Sequence, residues 1–145
     1  MEEHSVVISL GTNLGDKLQN LINALRDIEA FGKIINKSRI FCSDPWGYDS
    51  ENEFLNMGIV IKTILDPVLL LKKLKSIEKQ MGRGPNVVQS YQDRIIDLDI
   101  LIFNKFIIES NELSIPHPKI KERKFSLLII KDLYENEFIP VLNDN

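Results

Sequence analysis

Three features of this 145-residue chain predict an α+β fold, an antiparallel sheet packed with helices in a single domain. Apolar runs of strand length alternate with stretches of helical spacing, in the order β-α-β-β-α-β. The polar stretches between them are each short enough to be loops, with no low-complexity linker and no internal repeat. An apolar content of 43% supports one sizeable core, and the length is too short for two ordinary domains. Residues 1–145 are therefore read as one domain, a ferredoxin-like sandwich with helices covering one face of the sheet.

Val6 to Leu10 form the first strand. Gly11-Thr12-Asn13-Leu14-Gly15-Asp16 then punctuate the turn into a helix that carries Leu18, Leu21, Ile22, Leu25 and Ile28. Gly32 ends that helix, and Lys33 to Cys42 read as a second strand. Ser43 to Asn52, with Asp44-Pro45 and Gly47, is a loop of a length that often carries function. Phe54 to Thr63 make the third strand. Asp66-Pro67 is an N-cap and N1 pair that opens a helix through Leu70, Leu71, Leu74 and Ile77, closed by Gly82. A second long loop, Arg83 to Arg94, precedes a strand from Ile95 to Phe103 and the turn Asn104-Lys105. A hairpin follows, and a last helix begins after Pro118.

Composition narrows the function classes. A net charge of −3 and a pI near 5.4 give no basic field for a duplex nucleic acid. Cys42 is the only cysteine, so no intrachain disulfide framework or cysteine metal cluster is possible, which fits a reducing compartment. The acidic start Met1-Glu2-Glu3-His4 is unlike a signal peptide, and no apolar stretch approaches membrane-spanning length. The expectation is a cytoplasmic chain without membrane or nucleic-acid partners, and a monomer by default.

Chemistry concentrates on Ile95-Ile96-Asp97-Leu98-Asp99-Ile100-Leu101-Ile102. Strand alternation puts Ile96, Leu98, Ile100 and Ile102 on one face and both aspartates on the other. Their Cα atoms should lie roughly 6.5 to 7 Å apart, close enough for the carboxylates to converge on shared hard cations such as magnesium. Two acids on a solvated sheet face by chance remain the plainer alternative. On the third strand Phe54 and Asn56 point the same way, an aromatic face beside an amide that suits a flat heterocycle, though packing and edge polarity would look the same. Arg83 and Arg94 bracket the second loop, and Lys119, Lys121, Arg123 and Lys124 follow His117. Guanidinium groups suit phosphate, while the lysines equally fit a solvated helix start. His117 lies between Pro116 and Pro118, a rigid setting for an imidazole. No P-loop, kinase glycine loop or nucleophile elbow is present.

Taken together, Gly11 to Asp16, Phe54-Leu55-Asn56, Glu78 with Gly82-Arg83, Arg94 to Leu101, and Pro116-His117-Pro118 through Arg123 and Phe125 resemble 6-hydroxymethyl-7,8-dihydropterin pyrophosphokinases over nearly the whole chain. The resemblance implies a ferredoxin-like fold and pyrophosphoryl transfer from ATP, as co-substrate, to the pterin hydroxyl in folate synthesis. It implies that Asp97 and Asp99 hold two magnesium ions, with Arg83 and Arg94 beside them in catalysis. It further implies a pterin pocket of Ser43, Pro45, Trp46, Phe54, Asn56 and Phe125, and ATP contacts from Glu78, Arg83, Arg94, His117 and Arg123. Tyr91-Gln92-Asp93 departs from the Trp-Gly-Pro of many relatives, and Pro85 stands where a loop arginine often lies. Trp46 either packs over the substrate or caps the core. A nucleotide-sensing module and a metal-dependent nuclease are the other classes such an aspartate pair could serve.

Overall fold

In the computed structural model, which describes residues 2–44, 52–82 and 93–134, β1 (His4–Thr12) is the inner strand from which the sheet is built. β4 (Phe54–Thr63) pairs with it on one side and β5 (Asp97–Phe103) on the other, both antiparallel. β2 (Lys33–Lys37) and β3 (Phe41–Ser43) both pair antiparallel with β4, giving the order β2-β4-β1-β5 with β3 continuing beyond β2. The expected β-α-β-β-α-β order and antiparallel sheet are thus present, with α1 (Lys17–Ile28) after β1 and α2 (Pro67–Gln80) after β4.

The helix starts follow from their caps. Asp16 accepts the N–H of Gln19 at 3.1 Å, and Asp66 accepts that of Leu69 at 2.8 Å ahead of Pro67. Leu21, Ala24 and Ile28 of α1 and Leu70, Leu74 and Ile77 of α2 pack on Val6, Ile8, Leu10, Ile59, Ile61 and Leu98, which alternate along their strands.

Three details differ from the sequence expectation. Lys33 to Cys42 is not one strand, because Ser38 interrupts it: its N–H donates to the carbonyl of Gly58 while its hydroxyl accepts the N–H of Gly58, both at 2.8 Å. One serine thereby satisfies both backbone groups of a partner residue, and the chain re-enters the sheet as β3.

Ile102 does not share the face of Ile100. Val7 pairs with Ile102 while Ile8 pairs with Ile100, so Leu101 is an extra residue on β5 and the alternation resets. Leu101 and Ile102 both join the core of the opposite face.

The helices also do not all lie on one face. α3 (Lys124–Tyr134) packs Ile129, Ile130 and Leu133 against Val7, Val60, Leu101 and Ile102 on the face away from α1 and α2. Gly58 makes this possible, since a Cβ there would stand 2.1 Å from Ile129 Cγ2. A short hairpin of β6 (Ile108–Glu109) and β7 (Ser114–Ile115) leads from β5 toward α3. α3 covers only part of its face, and the uncovered part is the site.

Candidate active site

Strand register assembles the floor of a cleft beside α3. Across the sheet run two rows, Asn56–Gly11–Asp97 and Gly58–Ser9–Asp99. Ser9, Gly11, Phe54, Asn56, Asp97 and Asp99 line the cleft with Leu10, Ser43 and Asp44, and Arg94, Arg123 and Phe125 close its sides, around roughly 560 Å³ with the mouth included. Gly11 is needed as a flat floor: a Cβ would meet Asn56 Oδ1 at 3.2 Å and Phe54 Cδ1 at 3.5 Å. The sequence reading treated Gly11 as turn punctuation and did not single out Ser9. The same period-two argument that paired the aspartates puts both opposite Ile8 and Leu10, and could have found them.

Asn56 has a fixed orientation. Its Nδ2 donates to the carbonyl of Phe41 at 3.1 Å and to Ser43 Oγ at 2.8 Å. A carbonyl only accepts, so the amide nitrogen must face that way, which leaves Oδ1 toward Gly11 as an acceptor for a ligand N–H. The residue is 2% exposed, so this orientation is not averaged by solvent.

The charged end holds Asp97 and Asp99 with three bases. Arg94 Nη1 is 3.2 Å from Asp97 Oδ1, Arg123 Nη1 is 3.5 Å from Asp99 Oδ2, and His117 Nε2 is 3.9 Å from Asp99 Oδ1. Burial, and then the charge of Asp97, push Asp99 up to about 7, although Arg123 and Arg94 pull the other way. Burial thus makes the charged form of Asp99 costly here, a cost that a bound cation would offset. The donor chemistry fits magnesium: two carboxylates on one face. Among the described residues no group of three or more His, Cys, Asp or Glu could hold a metal, so further ligands would be phosphate oxygens and water.

Burial, helped by Arg123 and Lys119 against the pull of Asp97, lowers His117 to about 4. The neutral ring accepts the N–H of Lys119 on Nδ1 at 3.1 Å, so its proton sits on Nε2, directed at the carboxylate end of the cleft. The His117 N–H donates to the carbonyl of Leu101 at 2.9 Å, which holds the residue against β5.

Of the residues singled out from sequence, the structure brings Ser43, Phe54, Asn56, Arg94, Asp97, Asp99, Arg123 and Phe125 around one cleft, with His117 adjoining. Glu78 is not among the lining residues. It is 6% exposed on α2, and its Oε2 accepts the N–H of Leu98 on the aspartate strand at 2.8 Å. Arg83, Pro45 and Trp46 lie outside the described residues, as do Pro85, Tyr91 and Gln92. Sequence reasoning missed a hydrogen-bonded group of Asn13, Asn52 and Asp93 beside Arg94.

Comparison with known proteins bears on this arrangement. Residues 7–135 match the family model described as 7,8-dihydro-6-hydroxymethylpterin-pyrophosphokinase (HPPK). The chain is 32% identical over 137 residues to the 2-amino-4-hydroxy-6-hydroxymethyldihydropteridine pyrophosphokinase of Aquifex aeolicus, covering 94% of this chain and 84% of that one. To the Bacillus subtilis protein of the same name it is 38% identical over 128 residues, covering 87% and 75%. It is also 38% identical over 140 residues to the folic acid synthesis protein FOL1 of Dictyostelium discoideum, covering 95% of this chain but only 21% of that longer one. Its fold matches that of wild-type Plasmodium falciparum HPPK-DHPS, solved with SDX-DHP, with a TM-score of 0.76 at 21% identity, covering 99% of this chain and 43% of that one.

Proposed function

The chain belongs to the 7,8-dihydro-6-hydroxymethylpterin-pyrophosphokinase family, and from that membership we propose that it transfers a pyrophosphoryl group from ATP to 6-hydroxymethyl-7,8-dihydropterin in folate synthesis, releasing AMP. The observation that carries the reading is the division of the cleft. One end offers an aromatic face and a fixed amide acceptor, and the other offers two carboxylates among arginines.

At the first end, Phe54 and Phe125 hold the two faces of the pterin ring while Asn56 Oδ1 accepts from its N–H edge. The Ser43 hydroxyl, which already accepts from Asn56, has its proton left to donate. Gly11 leaves the floor open to a flat ring. Pro45 and Trp46 belong to the same pocket in this proposal.

At the second end, Asp97 and Asp99 hold two magnesium ions, which when bound neutralise charge on the ATP phosphate oxygens. Arg94, Arg123 and Arg83 bind the phosphates, and His117, neutral with Nε2–H forward, donates to a phosphate oxygen without adding charge. These groups align the pterin hydroxyl oxygen with the β-phosphorus. That oxygen forms the new bond to phosphorus as the bond from the β-phosphorus to the bridging oxygen of AMP breaks; AMP leaves, and the hydroxyl proton passes to solvent water. Positioning and electrostatics supply the acceleration. Glu78, which also holds the N–H of Leu98, is an ATP contact in this proposal. We further place the chain in the cytoplasm as a monomer without nucleic-acid or membrane partners; no described helix is long and apolar enough to cross a membrane.

Chromatography of nucleotides after incubation with ATP, magnesium and 6-hydroxymethyl-7,8-dihydropterin tests the reading. Pterin-dependent AMP without ADP is expected. ADP would mean attack at a different phosphorus, and tight nucleotide binding without turnover would mean a sensor.

A further inference from the structure

Asp93 immediately precedes Arg94, and its two carboxylate oxygens take different partners. Oδ1 accepts Nδ2 of Asn13 and Oδ2 accepts Nδ2 of Asn52, both at 2.8 Å. Asn13 is 1% exposed. Its amide nitrogen also donates to the carbonyl of Asn52 at 3.2 Å, and its Oδ1 accepts the N–H of Arg94 at 2.8 Å. The backbone N–H of Asn13 donates to the carbonyl of Arg94 at 3.1 Å. Asn13 thus holds both backbone polar groups of Arg94, whose guanidinium reaches Asp97 at 3.2 Å.

An amide has two orientations, and only one serves Arg94. A carboxylate can only accept, so Asp93, with the weaker help of the Asn52 carbonyl, holds Nδ2 of Asn13 toward itself and leaves Oδ1 toward Arg94. We propose that Asp93 is a positioning residue for the reaction: it locks Asn13, which fixes the Arg94 backbone and aims its guanidinium at the phosphate end of the cleft. By holding Asn52 as well, it ties the approach to β4 to the approach to β5. This inference rests on the phosphoryl-transfer reading above.

The test compares wild type with Asp93→Ala, Asp93→Asn and Asn52→Ala by the hydrogen-exchange rate of the Arg94 amide and by kcat and KM. Asp93→Ala should speed Arg94 exchange by about tenfold or more. Its kcat should fall by about tenfold or more while KM for the pterin stays within about twofold. Asp93→Asn keeps an oxygen for Asn13, and its amide can pair with Asn52 once the exposed Asn52 turns over. It should recover both readouts to within about threefold of wild type, which a role resting on charge alone would not permit. Wild-type exchange at Arg94 in Asp93→Ala, unchanged kcat, or an Asp93→Asn protein as impaired as Asp93→Ala would each overturn the proposal. If Asp93→Ala does not fold, Asn52→Ala decides: it must raise Arg94 exchange by about threefold or the proposal fails. A wild-type protein without turnover sinks the functional reading alone, because the exchange measurement still judges the Asp93 role.

Discussion

Asp97 and Asp99 share a face because a strand repeats every two residues, and the charge of Asp97 adds to burial in raising the pKa of Asp99. Replacing Asp97 with alanine removes a proposed cation ligand from a half-exposed position, so the fold should survive. Turnover should fall by at least ~100-fold, roughly 2.7 kcal/mol of transition-state stabilisation, and near wild-type turnover in steady-state assays would refute the metal assignment. The aspartate pair, Phe54 and Asn56 were legible from sequence since alternation along one strand is a local rule. The links among Asn13, Asn52 and Asp93 were not, because they join residues up to 80 positions apart and no local period encodes them. For Glu78 the motif position was legible, but not its hydrogen bond to the Leu98 N–H, which joins α2 to β5 and has no local period.

At the level of elements, caps and strand cores read correctly, while the irregularities did not. Asp16, and the pair Asp66 and Pro67, declare their helices through side-chain chemistry that needs no distant partner. Ser38 and Leu101 break their strands only in relation to a neighbouring strand, so the sequence Lys33 to Cys42 gave no warning. Gly58 is similar, because only the fold shows that it lies directly under α3. Gly58→Ala should cost about 1–3 kcal/mol by overpacking against Ile129. In the background of Ile129→Ala most of that cost should vanish, and a chemical-denaturation cycle showing simple additivity would disprove the contact. Because α3 follows directly from Arg123 and carries Phe125, lifting it should also weaken pterin binding.

For the whole molecule, two buried groups make stability depend on pH in opposite senses. His117 titrates near 4 when folded against 6.5 when unfolded, so the unfolded chain takes the proton first and stability is lost as pH falls from 6.5 toward 4. Asp99 titrates near 7 when folded against 3.8, so the folded chain keeps the proton longer, and that stabilisation is lost as pH rises through 7. The metal-free protein should therefore change little between pH 4 and 6.5, where the two slopes cancel, melt at somewhat lower temperature as pH rises through 7, and level off above that. Asp99→Asn should melt like wild type near pH 4 and several degrees higher at pH 8, though inactive; equal melting at pH 8 would remove Asp99 as the cause. The placement of α3 opposite α1 and α2, which element order could not show, is what leaves half a sheet face open for a site. Among the described residues β5 is an edge strand of the sheet, and the backbone groups of an edge strand can invite a strand from another molecule. Glu78 takes the N–H of Leu98 there and His117 donates to the carbonyl of Leu101, so the rim that carries the aspartates is already occupied. Two residues that family likeness assigns to the nucleotide thus also occupy backbone groups of that rim, so Glu78→Ala should raise light scattering on concentration, and unchanged scattering would show that the rim needs no such cover.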